Sequence, residues 1–304
     1  IAVLTSKIGK EVLQLCPYVD EIFSIKDKAF LSLFLPFFFL KRKKIDAILL
    51  FHASQRAILP FCAFLGSEKF IGIEGLNKGL DSLLSKTLPN SSIHEIERRL
   101  AMAAELGAHI STPSLEFFFN EEDQAKATAF LQSLNLPSYI PLVGIHPGAK
   151  DFFKQWNPDH FIALGNRLVD HLGCQIIVTG SRTEAPLVQK VASGISRAKA
   201  LAGELPVRST AALIKKMALF ISNDTGPMHL AFAVQTPTVA LFTPTDPKLC
   251  GPYFANQVKV IQKRPTCNPC MRKECLDPFC LLQIGIDEVY EEALDLYYRH
   301  KGQR

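Results

Sequence analysis

Short apolar runs that alternate with helical stretches constrain this chain more than any other feature. "IAVLTS", "EIFSI", "DAILLFH" and "KFIGI" fall in the first half, and "LVGIH", "CQIIVTG", "ALFISN" and "TVALF" in the second. Runs of this length, rich in Val, Ile and Leu, suit strands buried on both faces in a parallel sheet covered by helices. The helical stretch "EEDQAKATAFLQSLNL" at 121–136 gives way to "PSYIP", whose prolines interrupt the pattern before the next strand. The expected organisation is therefore α/β, in two similar halves of 1–137 and 138–304 with a cleft between them. An amphipathic helix over "IDEVYEEALDLYYRH" closes the chain.

Composition narrows the classes. The 304 residues are 48% hydrophobic, enough for a substantial core in each half and against a disordered chain. A net charge of +5 spread over this length weakly favours an anionic ligand and gives nucleic acid little support. The most apolar segment, "AFLSLFLPFFFL" at 29–40, contains Pro36 and is short of the about twenty residues a spanning helix needs. Of the eight cysteines, Cys16, Cys62, Cys174 and Cys250 are scattered and the rest cluster at 267–280, which fits a reducing compartment rather than a secreted disulfide scaffold.

In open α/β sheets ligands sit beyond the carboxyl ends of the strands, so the loops after the second-half strands are where chemistry is expected. "PGAKDFFKQWNP" follows "LVGIH" and offers Lys154 to an anion; the rival reading is a solvated lysine. "SRTEAP" follows "CQIIVTG" and offers Glu184 to a ribose diol; the rival is a first-turn glutamate favoured by the helix dipole. "SNDTGPMHL" follows "MALFI" and is the most specific. Asp224, Thr225, Gly226 and Pro227 pack turn formers between strand and helix, Pro227 suits the first helical turn, and Gly226 admits close approach to backbone amides. The rivals here are an Asp224 N-cap and a core His229. A carboxylate beside a phosphate seat repels it unless the carboxylate faces a hydrogen-bond donor, and sugar hydroxyls are donors. A nucleotide diphosphate sugar thus places its phosphates on the Thr225 and Gly226 amides and its sugar on Asp224.

"SNDTGPMHLAFAVQTPTVALFTPTDPKLCGPY", with "IHPGA", "KQW" and "CNPCMRKECLDPFC", resembles glycosyltransferase family nine, the lipopolysaccharide heptosyltransferases. "CPYVDEIFSI", "FHASQRAILPFCAFLGSEKFIGI" and "HEIERRLAMAAELG" resemble the family's acceptor-side segments, so the likeness covers nearly the whole chain. It implies a GT-B fold of two Rossmann-like domains facing a central cleft. The first domain faces the lipopolysaccharide core acceptor and the second binds ADP-heptose. It also implies inverting transfer with no catalytic metal, in a cytoplasmic enzyme peripheral to the inner membrane. By the same resemblance Lys154 and the Thr225 and Gly226 backbone serve the diphosphate, Asp224 the heptose hydroxyls, Glu184 the ribose, and His229 belongs to the same motif. The family's general-base aspartate lies in a first strand-loop-helix unit of about thirty residues that is expected to precede this chain; Asp20 and Asp46 do not match it. A non-catalytic nucleotide-sugar or lipid-binding relative, or a family member with another sugar donor, is the alternative.

Cys267, Cys270, Cys275 and Cys280 form C-x2-C-x4-C-x4-C, compatible with a structural zinc, with reduced packing cysteines or with a disulfide. "FLPFFFLKRKK" sets Lys41, Arg42, Lys43 and Lys44 beside apolar residues, as in a protein resting on an anionic membrane; the rival is a buried helix followed by a solvated charge run.

Overall fold

The computed structural model describes residues 1–25, 34–52, 56–109, 113–253, 257–265, 267, 270, 275 and 279–301. The chain divides into two units, Ile1–Pro113 and Ser114–Arg304.

The first unit runs β1 (Ala2–Ser6), α1 (Lys7–Leu13), β2 (Glu21–Ile25), α2 (Phe34–Arg42), β3 (Ala47–Leu49), α3 (Ile58–Leu65), β4 (Lys69–Ile73), β5 (Lys86–Leu88) and α4 (Glu95–Ala104). Among the described residues β1 pairs with β2, and β3, β4 and β5 form a second sheet, all parallel. One core joins the two sheets: Ile25, Leu40, Leu50, Leu59, Phe61 and Phe70 are buried together, with Leu4 and Phe23 packed against them. Gly66 ends α3 in the left-handed conformation, φ 79°, which a side chain would disfavour.

The second unit runs α5 (Glu121–Ser133), β6 (Leu142–His146), α6 (Pro158–Leu172), β7 (Gln175–Gly180), α7 (Ala185–Gly194), β8 (Ala198–Ala202), α8 (Val207–Lys215), β9 (Leu219–Asn223), α9 (Gly226–Ala233), β10 (Thr238–Phe242), α10 (Pro247–Cys250), β11 (Val258–Gln262), α11 (Phe279–Leu282) and α12 (Ile286–His300). Its strands form one parallel sheet in the order β11-β10-β9-β6-β7-β8. One face is sealed by α6, α7 and α12, whose Phe161, Leu164, Val188, Val191, Val289 and Leu296 bury against Val143, Ile145, Ile176, Ile221 and Leu241. Ile177, Phe220, Leu213 and Ala231 belong to the cluster on the other face. Continuous burial of β9 and β10 explains why these strands are apolar without alternation.

The division at Pro113 and Ser114 corrects the boundary placed after Pro137. Residues 121–136 precede the prolines in sequence, but α5 packs on the second unit: Ala127 is buried with Ile177, Leu213 and Phe220, and Phe119, Phe130 and Leu134 lie against the same cluster. Buried Asp123 anchors it, accepting from Arg208 Nε at 2.8 Å and Ser209 Oγ at 3.0 Å. A proline break marks a change of direction, whereas the apolar face of the helix decides which core it joins.

Candidate functional site

The sheet order locates a ligand site before any side chain is considered. β6 lies between β9 and β7, and the chain proceeds from β6 to β7 and β8 on one side, then returns to β9, β10 and β11 on the other. The loops after β6 and β9 therefore diverge at the carboxyl edge of the sheet, opening the crevice where such sheets take ligands. His146 is paired with Ser222 across the two strands, so residues from 147 and from 223 leave the sheet side by side.

A fully buried amide ties the two exits together. Asn223 Nδ2 donates to the carbonyls of Pro147 (2.8 Å) and Gly148 (3.3 Å), and its Oδ1 accepts from the Trp156 amide (3.1 Å). Both ends of the loop that carries Lys154 thus hang on one side chain. Trp156 is itself buried and donates from Nε1 to the Ile284 carbonyl at 3.0 Å, which anchors the loop to the segment before α12.

Lys154 ends a 3-10 turn, Phe152–Lys154, and its Nζ stands 2.6 Å from Asp224 Oδ2. The Asp224 side chain is only 7% exposed and that of Lys154 20%. The same Oδ2 accepts from Thr245 Oγ1. Pairing of Leu241 with Asn223 and a 3.0 Å bond from the Asp224 amide to the Leu241 carbonyl bring the Thr245 loop alongside. The solvated-lysine reading is thereby set aside. A carboxylate this buried needs a counter-charge, and Lys154 and Thr245 together occupy one of the two Asp224 oxygens.

Asp224 is not the N-cap either. That position falls to Thr225, in extended backbone with φ −158° and ψ 172° and with no side-chain cap hydrogen bond. α9 therefore starts with its first-turn amides free of a side-chain cap, and Pro227 contributes no N–H. Thr225 is half-buried and Gly226 exposed. Nothing lies within 4 Å of where a Cβ on Gly226 would stand, so a ligand has access to this backbone. His229 is exposed one turn along, edge-on to Phe232 with ring centroids 5.7 Å apart, rather than in the core.

Glu184 closes the other side of the loop after β6. Its Oε2 accepts from the Ser181 amide (2.8 Å) and hydroxyl (2.7 Å) in a capping box at the turn Arg182–Glu184, so the helix-start reading holds. Its Oε1 also presses on the loop: a Cβ on Gly148 would fall 2.1 Å from it. Burial opposes ionisation of Glu184, but the Ser181 donors and nearby His146 outweigh it and hold the carboxyl below its usual range. Burial drives His146 the other way for a base, down to about 4 despite the pull of Glu184 and Thr179, so its ring is neutral near pH 7. His146 Nδ1 lies 3.1 Å from Thr179 Oγ1.

Lys154, Asp224, Thr225 and Gly226 are thus brought together, with Glu184 on the far side of the Gly148 loop. Sequence reasoning assigned no role to Asn223, Thr245 or His146. "FTPTD" carried a signal for Thr245, but nothing local marks Asn223 as the tie between two loops. Asp20 and Asp46 are both exposed. Cys267 is exposed, Cys270 and Cys275 are half-buried, and Cys280 is buried in α11. Among the described residues no three His, Cys, Asp or Glu side chains gather as a metal site requires. The thiols of Cys62 and Cys174 are pushed up to about 12, chiefly by burial, which leaves both as packing groups.

Comparison with known proteins agrees with this architecture. Residues 39–279 match the family model of glycosyltransferase family 9 (heptosyltransferase). Lipopolysaccharide heptosyltransferase 3 of Escherichia coli K12 is 30% identical over 189 residues, 59% of this chain and 53% of that protein. Lipooligosaccharide heptosyltransferase 2 of Haemophilus ducreyi is 28% identical over 231 residues, 71% of this chain and 65% of that protein. The matched stretches therefore span about half to two thirds of those relatives' length. A glycosyl transferase of family 9 from Veillonella parvula DSM 2008 superposes with a TM-score of 0.87 at 20% identity, covering 98% of this chain and 88% of that one. The E. coli ADP-heptose lipopolysaccharide heptosyltransferase II gives 0.75 at 21% identity, covering 99% and 90%. Both establish the fold, GT-B with two Rossmann-like units. With a family match running through both units and over the Asp224 loop, the chain belongs to glycosyltransferase family 9, the heptosyltransferase family.

Proposed function

We propose that the protein is an inverting glycosyltransferase that moves heptose from ADP-heptose to a sugar of the lipopolysaccharide inner core. The observation that carries this reading is the ammonium of Lys154, held by Asp224 next to the open first turn of α9. A cation and uncapped helix amides converging at the crevice of a doubly wound sheet form a seat for a diphosphate. Two solved E. coli heptosyltransferases of this fold support the donor: one with ADP (TM-score 0.61, 19% identity) and one with ADP-2-deoxy-2-fluoro heptose (0.64, 17%).

In this mechanism the diphosphate lies across the Thr225 and Gly226 amides, and Lys154 leans from Asp224 toward it. The carboxylate oxygen that Lys154 and Thr245 leave available faces the sugar hydroxyls, so Asp224 serves lysine and sugar together. Glu184, kept ionised beside the Gly148 loop, accepts from the ribose. As the glycosidic C–O bond breaks, negative charge gathers on the leaving diphosphate while the anomeric carbon becomes cationic. Lys154 and the helix amides stabilise that charge more than the ground state, and this difference is what accelerates transfer. The acceptor hydroxyl attacks from the opposite face and the anomeric configuration inverts. No step is routed through a metal.

The first unit takes the acceptor, and the enzyme works at the cytoplasmic face of the inner membrane. Among the described residues no helix is long and apolar enough to cross a membrane. Peripheral contact is supported by Phe38 and Phe39, 59% and 53% exposed on α2, with Arg42 and Lys44 exposed beside them. Isothermal titration with ADP and ADP-heptose, followed by mass spectrometry of a heptose-deficient core acceptor after incubation, tests the whole reading. A folded protein that binds neither nucleotide overturns it.

A further inference from the structure

The loop after β6 has two ends with different neighbours. At Gly148 it meets Glu184, whose Oε1 would lie 2.1 Å from a Cβ on that glycine, and at Lys154 it meets Asp224, 2.6 Å from the ammonium. On the donor reading proposed above, on which this inference rests, the ribose lies at the Gly148 end and the transferred sugar at the Lys154 end. An exposed aromatic ring, Phe152, stands at that second end. We infer that Phe152 is a specificity-determining residue, a platform on which the apolar face of the donor's sugar ring rests.

The turn geometry sets where each side chain points. Phe152, Phe153 and Lys154 make a single 3-10 turn, closed by bonds from the Lys154 amide to the Asp151 carbonyl (3.0 Å) and from the Gln155 amide to the Phe152 carbonyl (2.9 Å). With three residues per turn, consecutive side chains point about 120° apart. Phe153 takes the inward direction and is 6% exposed, Lys154 turns to Asp224, and Phe152 is left facing water at 48% exposure. Its ring meets Phe153 at 76° with centroids 6.2 Å apart, so the two are not stacked and Phe152 keeps a face for a ligand. Two residues separate at most about 7 Å of backbone, so a sugar joined directly to a diphosphate on Lys154 comes within reach of the ring.

The loop also holds the ring in place before any ligand arrives. Asn223 bonds both of its ends, and Gln155 Nε2 donates across it to the Ala149 carbonyl at 2.9 Å. An aromatic side chain with two rotatable bonds on a fixed backbone loses little freedom on contact. One side of a pyranose presents C–H bonds, which gain dispersion and weak C–H contacts on an aromatic face. Asp224 offers that side of the sugar nothing, and bare ADP has no such group.

The full chain and its Phe152→Ala, Phe152→Leu and Phe152→Trp variants are titrated calorimetrically with ADP and with ADP-heptose. Phe152→Ala lowers affinity for ADP-heptose by about three- to tenfold, and affinity for ADP stays as in wild type. Phe152→Leu, which keeps apolar area without a flat face, loses most of the same affinity, and Phe152→Trp retains it. The chain has one native tryptophan, the buried Trp156, so the indole introduced by Phe152→Trp reports on the contact once the wild-type signal is subtracted. Its emission shifts when ADP-heptose binds and not when ADP binds. An ADP-heptose to ADP affinity ratio unchanged in Phe152→Ala, an equal loss for both nucleotides, or an indole that answers ADP as strongly as ADP-heptose overturns the inference while leaving the donor reading in place. Failure of the wild type to bind ADP overturns the donor reading and the inference with it.

Discussion

Lys154 and Asp224 lie 70 residues apart in the chain and meet at 2.6 Å, at the point where the loops after β6 and β9 diverge. Their unequal burial makes the pair asymmetric. Lys154→Ala strands the more buried carboxylate, so its stability loss approaches the about 3–5 kcal/mol of a broken buried pair. Asp224→Ala frees a lysine that reaches water and costs less. For ADP the order reverses in meaning: Lys154→Ala removes a direct cation and weakens binding about 10–100-fold, whereas Asp224→Asn removes only the lysine's tether and weakens it less. Urea unfolding and calorimetric ADP titration of the three variants check both halves. Equal ADP affinity in wild type and Lys154→Ala would remove the lysine from the donor site.

Two glycines separate folding from binding. A methyl on Gly226 meets nothing within 4 Å and its backbone is not left-handed, so Gly226→Ala leaves the unfolding midpoint in place. It nonetheless projects into the space where the diphosphate approaches the amides, and ADP binding falls. A methyl on Gly148 would fall 2.1 Å from Glu184 Oε1, the far end of a flexible side chain. Gly148→Ala therefore folds but displaces Glu184, and it loses discrimination between ADP and its 2′-deoxy analogue. Thermal unfolding beside titration with both nucleotides reads these outcomes.

Acid sensitivity follows from His146. Its pKa is driven down to about 4 in the fold from an ordinary value of 6.5, chiefly by burial. Between those values the unfolded chain binds a proton that the folded chain refuses, so stability present above pH 6.5 falls as pH drops toward 4. For one such group the loss is up to about 3 kcal/mol. Glu184, whose carboxyl is held low, adds to the same trend at the acid end, as its stabilisation is lost when pH falls through its folded pKa. Urea unfolding from pH 7.5 to 4.5 should show this slope, and His146→Gln should flatten it. An unchanged slope in the variant assigns the acid sensitivity elsewhere.

Strands buried on both faces were legible in the sequence because a single environment governs nearly every residue in them; "KFIGI", "LVGIH" and "TVALF" match β4, β6 and β10 residue for residue. The strands that escaped notice, β5, β8 and β11, are sheet edges. Their half-exposed residues, as in "AKALA" and "VKVIQ", mix charge with apolar character and lose the signal. The site divides along similar lines. Local turn chemistry marks Thr225, Gly226 and Pro227, whereas the roles of Asn223, Thr245 and His146 depend on which strands are neighbours, a fact no local window contains.

Asp123 tests where the second unit begins. Buried and paired with Arg208, it holds α5 to α8, and although burial opposes its charge, Arg208, Asn120 and Ser209 keep its carboxyl low. Asp123→Ala leaves Arg208 Nε without that partner and removes the N3 member of the Asn120 capping box. The expected loss is about 3 kcal/mol or more from the transition that reports the second unit, such as the fluorescence of Trp156. If α5 belonged with the first unit, Trp156 unfolding would not move.

The surface of α2 makes the proposed membrane contact testable apart from catalysis. Phe38 lies one turn before Lys41, whose Nζ donates to the Phe64 carbonyl at 2.7 Å, so exposed Phe38 and Phe64, 59% and 71% accessible, flank the same point on the surface. Large aromatic rings left in water at neighbouring positions, with Arg42 and Lys44 exposed nearby, match an interface where rings enter the headgroup layer and cations meet anionic lipid. Each basic residue near such a surface contributes about 1 kcal/mol at moderate salt. In co-sedimentation the protein should bind phosphatidylglycerol-containing vesicles, bind pure phosphatidylcholine far less, and release as salt rises. Phe38→Ser with Phe64→Ser should cut the bound fraction, and Arg42→Gln with Lys44→Gln should cut it by about tenfold or more, since two charges at about 1 kcal/mol each exceed the 1.4 kcal/mol of a decade. ADP affinity should stay unchanged in both pairs. Vesicle binding indifferent to lipid charge and to all four substitutions would leave these rings to another partner.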